Sequence, residues 1–216
     1  EAFGRLRDAL RSLDIADDTV VLLPSDHGCH FKTRNSEYKR SCHESSIRVP
    51  TVLVGPGFEG GGRVRDLVST VDLPPTLLDA AGLPVPASMP GRSVLPLTRG
   101  ERQNWPDHVF LQISESQVGR AVRTSRWKLS AVAPGRSGIG EAAASSYVEE
   151  FLYDLQADPH ELTNLAGLAS HQAVSARLRS LLAARIREVE AIEAAIEPAP
   201  SRPSGQRRVD PAEVAL

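Results

Sequence analysis

The chain has 216 residues, 41% hydrophobic and 24% charged, ordinary proportions for a globular protein that buries a core of its own. Its 25 basic and 27 acidic side chains leave a formal net charge of −2, so no basic surplus directs it to nucleic acid and no Lys/Arg block to a membrane surface. No apolar run approaches the roughly 18–20 residues that span a bilayer.

Residues 2–13 place Leu6, Ala9, Leu10 and Leu13 on one face at helical spacing, which predicts an amphipathic helix. Thr19 to Leu23 is a short β-branched run that suits a strand buried on both faces. Helix followed by buried strand is the α/β rhythm. The strand ends in Pro24-Ser25-Asp26-His27-Gly28, and ligands of open α/β sheets collect beyond the carboxyl ends of strands. A polar loop, 29–46, precedes a second strand expected over Ile47–Gly55.

Asp72, ahead of Leu73-Pro74-Pro75, signals a helix start, and Gly82 its stop. Leu77, Leu78 and Ala81 are expected on the buried face of that helix. Residues 83–97 read as a Pro-rich connection. From about 107 the texture becomes short strand-like runs, Val109–Ile113, Ala121–Thr124, Trp127–Val132 and Glu149–Leu155, which predict an antiparallel sheet. Val174, Leu178, Leu181, Leu182, Ile186, Val189 and Ile192 then form a long helical stripe expected to pack on it. Residues 197–209 are rich in Pro, Ser and Arg and read as disordered. The division expected is 1–100, 101–196 and a tail of 197–216.

Asp26 and His27 are a carboxylate and an imidazole side by side, both good ligands for a divalent ion. Taken alone, the pair reads as readily as a capping Asp beside a loop His. The following loop concentrates Lys39, Arg40, His43, Glu44 and Arg48 within ten residues, a cationic stretch able to hold a tetrahedral oxyanion. Arg48, at the start of a strand, is expected to pair structurally with Glu44. Cys29 and Cys42 form no CxxC pair; they read as free or structural thiols, with a single short-loop bridge as the alternative.

The stretch Ser25-Asp26-His27-Gly28, then Lys39, Glu44, Arg48 and Pro50, resembles the sulfatase family of the alkaline phosphatase superfamily, whose members carry S-D-[NH]-G and then K-x4-E-x3-R-x-P. Asp66 to Leu78, Gly91-Arg92-Ser93, Arg126-Trp127-Lys128, Leu152-Tyr153-Asp154-Leu155, Asp158-Pro159, Glu161 and Asn164-Leu165 resemble further signatures of that family in the same order. The resemblance implies an α/β fold: a fragment of an alkaline-phosphatase-like mixed sheet with flanking helices, plus a small C-terminal antiparallel sheet packed with a helix. It implies Asp26 and His27 as metal ligands, commonly to calcium, and Lys39 as the contact to sulfate. Glu44 and Arg48 would be scaffold. His30 and His43 match no family position securely and are carried as candidate substrate-pocket residues beside a plain loop role.

The formylglycine nucleophile of that family arises from a C/S-x-P-x-R motif, which neither Cys29 nor Cys42 begins. The chain also opens Glu-Ala-Phe-Gly without an initiator Met, so it reads as a piece whose nucleophile lies upstream of residue 1 and which is inactive alone. The expected reaction of the intact enzyme is hydrolysis of a sulfate ester, on a small molecule or a sulfated glycan. The alternatives are a phosphoesterase or phosphonate hydrolase of the same superfamily, or a non-catalytic interaction fragment.

Overall fold

The structure, a computed structural model, describes residues 1–203. It divides into two compact units: Glu1–Asp26 with Val49–Pro106, and His27–Arg48 with the described residues from Asp107 onward. The loop after the first strand therefore groups with the C-terminal sheet, through contacts far apart in sequence that no local pattern encodes.

In the first unit, helix α1 (Ala2–Ser12) forms where its periodicity predicts, but none of its residues is buried. Strand β1 (Val21–Pro24) pairs antiparallel with β2 (Thr51–Val54), Val21 opposite Val54 and Pro24 opposite Thr51. The expected double-sided burial is not found: Leu23 is 49% and Val52 46% exposed, because two strands alone cover neither face of their ribbon. Helix α3 (Leu73–Ala80) starts as expected, with Ser69 and Asp72 bonding reciprocally as a capping box and Pro at its first turn. Its buried residues are Leu73, Pro75 and Thr76, not the expected Leu77, Leu78 and Ala81. Thr76 Oγ1 donates to the Asp72 carbonyl and accepts the Val94 amide, and the Asp72 carboxylate accepts the Arg92 amide. These bonds turn the start of α3 toward segment 92–98, whose end forms the short helix α4 (Leu95–Thr98).

The second unit is built on a five-stranded sheet in the order β3 (His108–Ile113), β4 (Gly119–Thr124), β5 (Trp127–Val132), β6 (Ser146–Asp154) and β7 (Ala195–Glu197). The first four strands are antiparallel neighbours as predicted, but β7 runs parallel to β6, so the sheet is mixed. Helix α5 (Gln172–Glu190) lies on one face, with Val174, Leu178, Leu182 and Ile186 fully buried against Val122, Trp127 and Leu129. It stops where Ala191 turns left-handed at φ 56°, and Val189, counted in the predicted stripe, is 46% exposed. The expected tail is ordered at its start: the Arg202 amide donates to the Gly167 carbonyl and its Nε to the Ala166 carbonyl. Residues 204–216 of that expected tail lie outside the described residues.

Both faces of the central strand β5 are covered. Trp127, Leu129 and Ala131 belong to the core under α5, while Lys128 points to the opposite face and is fully buried there. The cover on that face is segment 27–48, called the strap below, whose buried Cys42 packs with Ile113 and Ala121. The strap includes one short helix, α2 (Glu44–Ile47), where the sequence reading placed loop and the start of a strand.

Candidate active site

The strap is pinned at its first turn by its own far end. The Gly28 amide donates to the Ser46 carbonyl at 2.7 Å. A Cβ on Gly28 would stand 2.1 Å from the Ser45 carbonyl oxygen, so the approach of these two backbone segments needs glycine. The His30 amide donates to the Tyr38 carbonyl at 2.8 Å, closing the tip 31–37 into a loop of its own. This doubling back brings Lys39 to the beginning of the strap.

Lys39 Nζ lies 3.0 Å from His27 Nε2. On the other side of the same ring, Nδ1 lies 2.7 Å from the Gly28 carbonyl oxygen. A carbonyl oxygen only accepts, so a neutral His27 carries its proton on Nδ1 and presents the Nε2 lone pair. That is the tautomer a metal-ligating histidine uses, oriented by a carbonyl behind it. An ion at Nε2 and the Lys39 ammonium compete for one lone pair. Tyr38 stands beside both, its ring centroid 6.0 Å from that of His27 and 5.5 Å from Lys39 Nζ. Asp26 precedes His27 in the chain, closes the first unit and is exposed.

Arg40, next to Lys39, is committed elsewhere. It pairs with Glu37 at 2.7 Å and with Glu115, and its carbonyl accepts the Asn35 side-chain amide. Glu44 does not take the predicted partner either. Arg48 is exposed, while the Glu44 carboxylate accepts Lys128 Nζ at 2.8 Å and the Arg123 guanidinium at 3.3 and 3.4 Å. Burial pushes the Glu44 carboxyl up, but Lys128 and then Arg123 outweigh it and hold it below the usual carboxylate range.

His43 and His30, the candidate pocket residues, both turn inward at 2% exposure. His43 Nε2 lies 3.0 Å from the Tyr153 hydroxyl and Nδ1 3.2 Å from the Ser41 hydroxyl, with the rings of Phe151 and Tyr153 beside it. Burial, then the charges of Arg34 and Lys128, lower its pKa to about 3, so it stays neutral. Neither histidine lines an open surface of the described structure. Cys29 and Cys42 are free thiols, and burial raises the Cys42 pKa to about 11.

Lys128 and Glu161 fall within the family signatures, but their sequence context predicts no role for them. The usable signal was a lysine inside the apolar run Trp127–Val132, where a charge needs a buried partner. That partner is Glu44 together with Glu161, whose Oε1 stands 2.5 Å from Lys128 Nζ.

Of the two residues predicted as metal ligands, Asp26 is exposed and His27 half-buried. Among the described residues no cluster of three or more His, Cys, Asp or Glu side chains could hold a metal ion, and calcium takes about six to eight oxygen ligands. The donor set present is partial.

The profile described as N-sulphoglucosamine sulphohydrolase, C-terminal, matches residues 36–188. Arylsulfatase K of Homo sapiens is 35% identical over 173 residues, covering 76% of this chain and 30% of that protein. Among solved structures, a 2-O GAG sulfatase superposes with TM-score 0.70 at 28% identity, over 94% of this chain and 45% of that one. The phosphonate monoester hydrolase of Silicibacter pomeroyi superposes with TM-score 0.68 at 26% identity, over 86% of this chain and 38% of that one. The chain thus spans about a third of the length of the curated relatives it matches.

Proposed function

Because the chain belongs to the sulfatase family, within the group described by its N-sulphoglucosamine sulphohydrolase C-terminal domain, we propose that it forms the C-terminal part of an enzyme that hydrolyses sulfate esters. The observation that carries this reading is the Lys39–His27 pair, with Nζ and Nε2 3.0 Å apart at the start of the strap. A sulfate ester presents terminal oxygens of net negative charge, and charge moves toward the bridging oxygen as the S–O bond breaks. A fixed ammonium serves both binding and reaction, and Lys39 is the cation of this loop whose neighbour Arg40 is already neutralised.

In this reading Lys39 donates to a sulfuryl oxygen, and Asp26 and His27 are two of the ligands of a divalent cation, calcium by resemblance. The rest of the ligands and the formylglycine nucleophile would come from outside residues 1–216. When bound, the ion supplies charge neutralisation at the sulfuryl oxygens. The likeness to a structure named as a GAG sulfatase favours a sulfated glycan as the substrate class.

The likeness to a phosphonate monoester hydrolase favours a second reading, phosphonate ester hydrolysis in the same site. Assays of the intact enzyme on aryl sulfate, aryl phosphonate and sulfated disaccharides decide between them. The expected result is faster turnover of sulfate esters, with Asp26→Ala losing activity and bound metal together. Equal metal content in wild type and Asp26→Ala would remove Asp26 from the site, and preference for aryl phosphonate would replace the reaction.

A further inference from the structure

The face of the sheet beneath the strap carries an unusual row. In the strand register Arg123 stands opposite Lys128, and Lys128 opposite Tyr153. Two like charges directly opposite on one face repel, and Lys128 is 0% exposed. The strap and the loop after β6 answer each member. Glu44 accepts from both Arg123 and Lys128, and His43 meets the Tyr153 hydroxyl. Glu161 pairs with Lys128 through one oxygen, and its other oxygen accepts the Glu44 amide at 2.8 Å. Lys128 Nζ also donates to the Cys42 carbonyl at 2.8 Å.

Glu161 itself is held hard. It sits at φ 55°, a left-handed conformation that a non-glycine residue keeps only where its surroundings impose it. Arg34, from the strap's tip, donates to its carbonyl at 2.6 Å and to the His160 carbonyl at 2.5 Å. One ammonium therefore joins the sheet (Lys128), the strap (Glu44 and the Cys42 carbonyl) and the loop after β6 (Glu161).

We propose that Lys128 is a positioning residue: from beneath the strap, between Glu44 and Glu161, it holds the strap in the placement that sets Lys39 against His27. Its bearing on sulfate rests on the function proposed above; its effect on Lys39 does not.

The groups facing this centre are Arg123, Lys128 and Tyr153 from the sheet, Arg34, Cys42, His43 and Glu44 from the strap, Glu161 from the following loop, and Glu150 nearby. Removing the ammonium takes one cation from the half-buried Glu44 and the buried Glu161 alike, which loosens the strap's hold on the sheet.

The chain has three lysines, Lys32, Lys39 and Lys128. Lys32 is exposed and Lys39 half-buried, so reductive methylation with formaldehyde and cyanoborohydride, followed by peptide mass spectrometry, reads Lys39 against Lys32 within one molecule. In Lys128→Met the Lys39:Lys32 ratio should rise about tenfold at about pH 8. Lys128→Arg, which keeps the charge, should rise less. Glu161→Gln should raise it as well, since one of the two carboxylates that hold the ammonium is then neutral. Amide protection of β4 and β5 controls for folding. If Lys128→Met loses that protection, Glu161→Gln decides: a raised ratio over an intact sheet supports the proposal, and an unchanged ratio overturns it. An unchanged ratio in a folded Lys128→Met, or a rise that Lys128→Arg matches, also overturns it. No activity is read, so failure here is distinct from failure of the sulfatase reading.

Discussion

Lys39 and Arg40 are adjacent cations with opposite circumstances. The Arg40 guanidinium is consumed by Glu37 and Glu115, whereas Lys39 Nζ faces the ring of His27. Losing one preorganised contact to a developing anion costs about 10²–10³ in rate. In the intact enzyme Lys39→Ala is therefore expected to lower kcat/KM on aryl sulfates by about that factor with the fold retained. Lys39→Arg should restore part of it, because a planar fork does not replace a point charge. Arg40→Ala should act mainly on strap stability. Near wild-type kcat/KM in Lys39→Ala beside a loss in Arg40→Ala would move the assignment by one residue.

His43 gives a second residue-scale prediction, on pH. Its folded pKa of about 3 lies below the ordinary 6.5 of a histidine, so between those values the unfolded chain binds a proton that the folded chain does not. The stability this contributes is full above about pH 6.5 and is lost as pH falls toward 3. At about pH 5 the loss from His43 alone amounts to about 2 kcal/mol. His171, lowered by burial, acts in the same direction. Urea unfolding of wild type at about pH 7.5 and 5 should show the loss, and His43→Gln should flatten it in part. An identical pH dependence in the variant would mean that His43 is protonated in the folded state.

At the scale of elements, α5 is legible because its buried positions recur at four-residue spacing, Val174, Leu178, Leu182 and Ile186, on one face of the helix. Leu182 is 0% exposed in the core with Trp127 and Leu129. Leu182→Ala is expected to destabilise by roughly 2–5 kcal/mol through lost burial and the cavity left behind. Thermal denaturation measures it, and unchanged stability with altered turnover would contradict a purely structural helix. The strap behaves oppositely. It has little regular structure, so no periodicity announces it, and it is held by polar contacts to residues about 70 to 130 positions away, such as Arg34 to Glu161 and His43 to Tyr153.

Across the whole molecule, burial is unevenly shared. The large buried side chains Trp127, Tyr147, Leu129, Leu152, Leu178 and Leu182 all lie in the second unit. In the first unit α1 buries nothing and β1 and β2 keep exposed Leu23 and Val52. Local opening free energies follow buried contact and hydrogen bonding. Hydrogen exchange on the chain should therefore find the slowest amides in β4, β5 and α5 and fast exchange throughout α1. Protection of α1 equal to that of α5 would contradict this ordering.

What the sequence determined by itself was local or collinear. Helical spacing located α1 and α5, the Pro-Pro and Asp72 signals located the start of α3, and the β-branched runs located β3 to β6. The ordered motifs from Ser25 to Leu165 carried the family. Tertiary structure decided what depends on partners distant in the chain. It put Thr76 rather than Leu77 inside, because Thr76 meets Val94. It turned β7 parallel and drew residues 197–203 into the fold, where their Pro, Ser and Arg content predicts disorder. It gave Glu44 to Lys128 and Arg123 instead of Arg48, since a buried ammonium must be neutralised while an exposed guanidinium is served by water. Lys39 could be singled out from its motif, but its place beside His27 follows from the strap's fold, closed at Gly28 and Ser46.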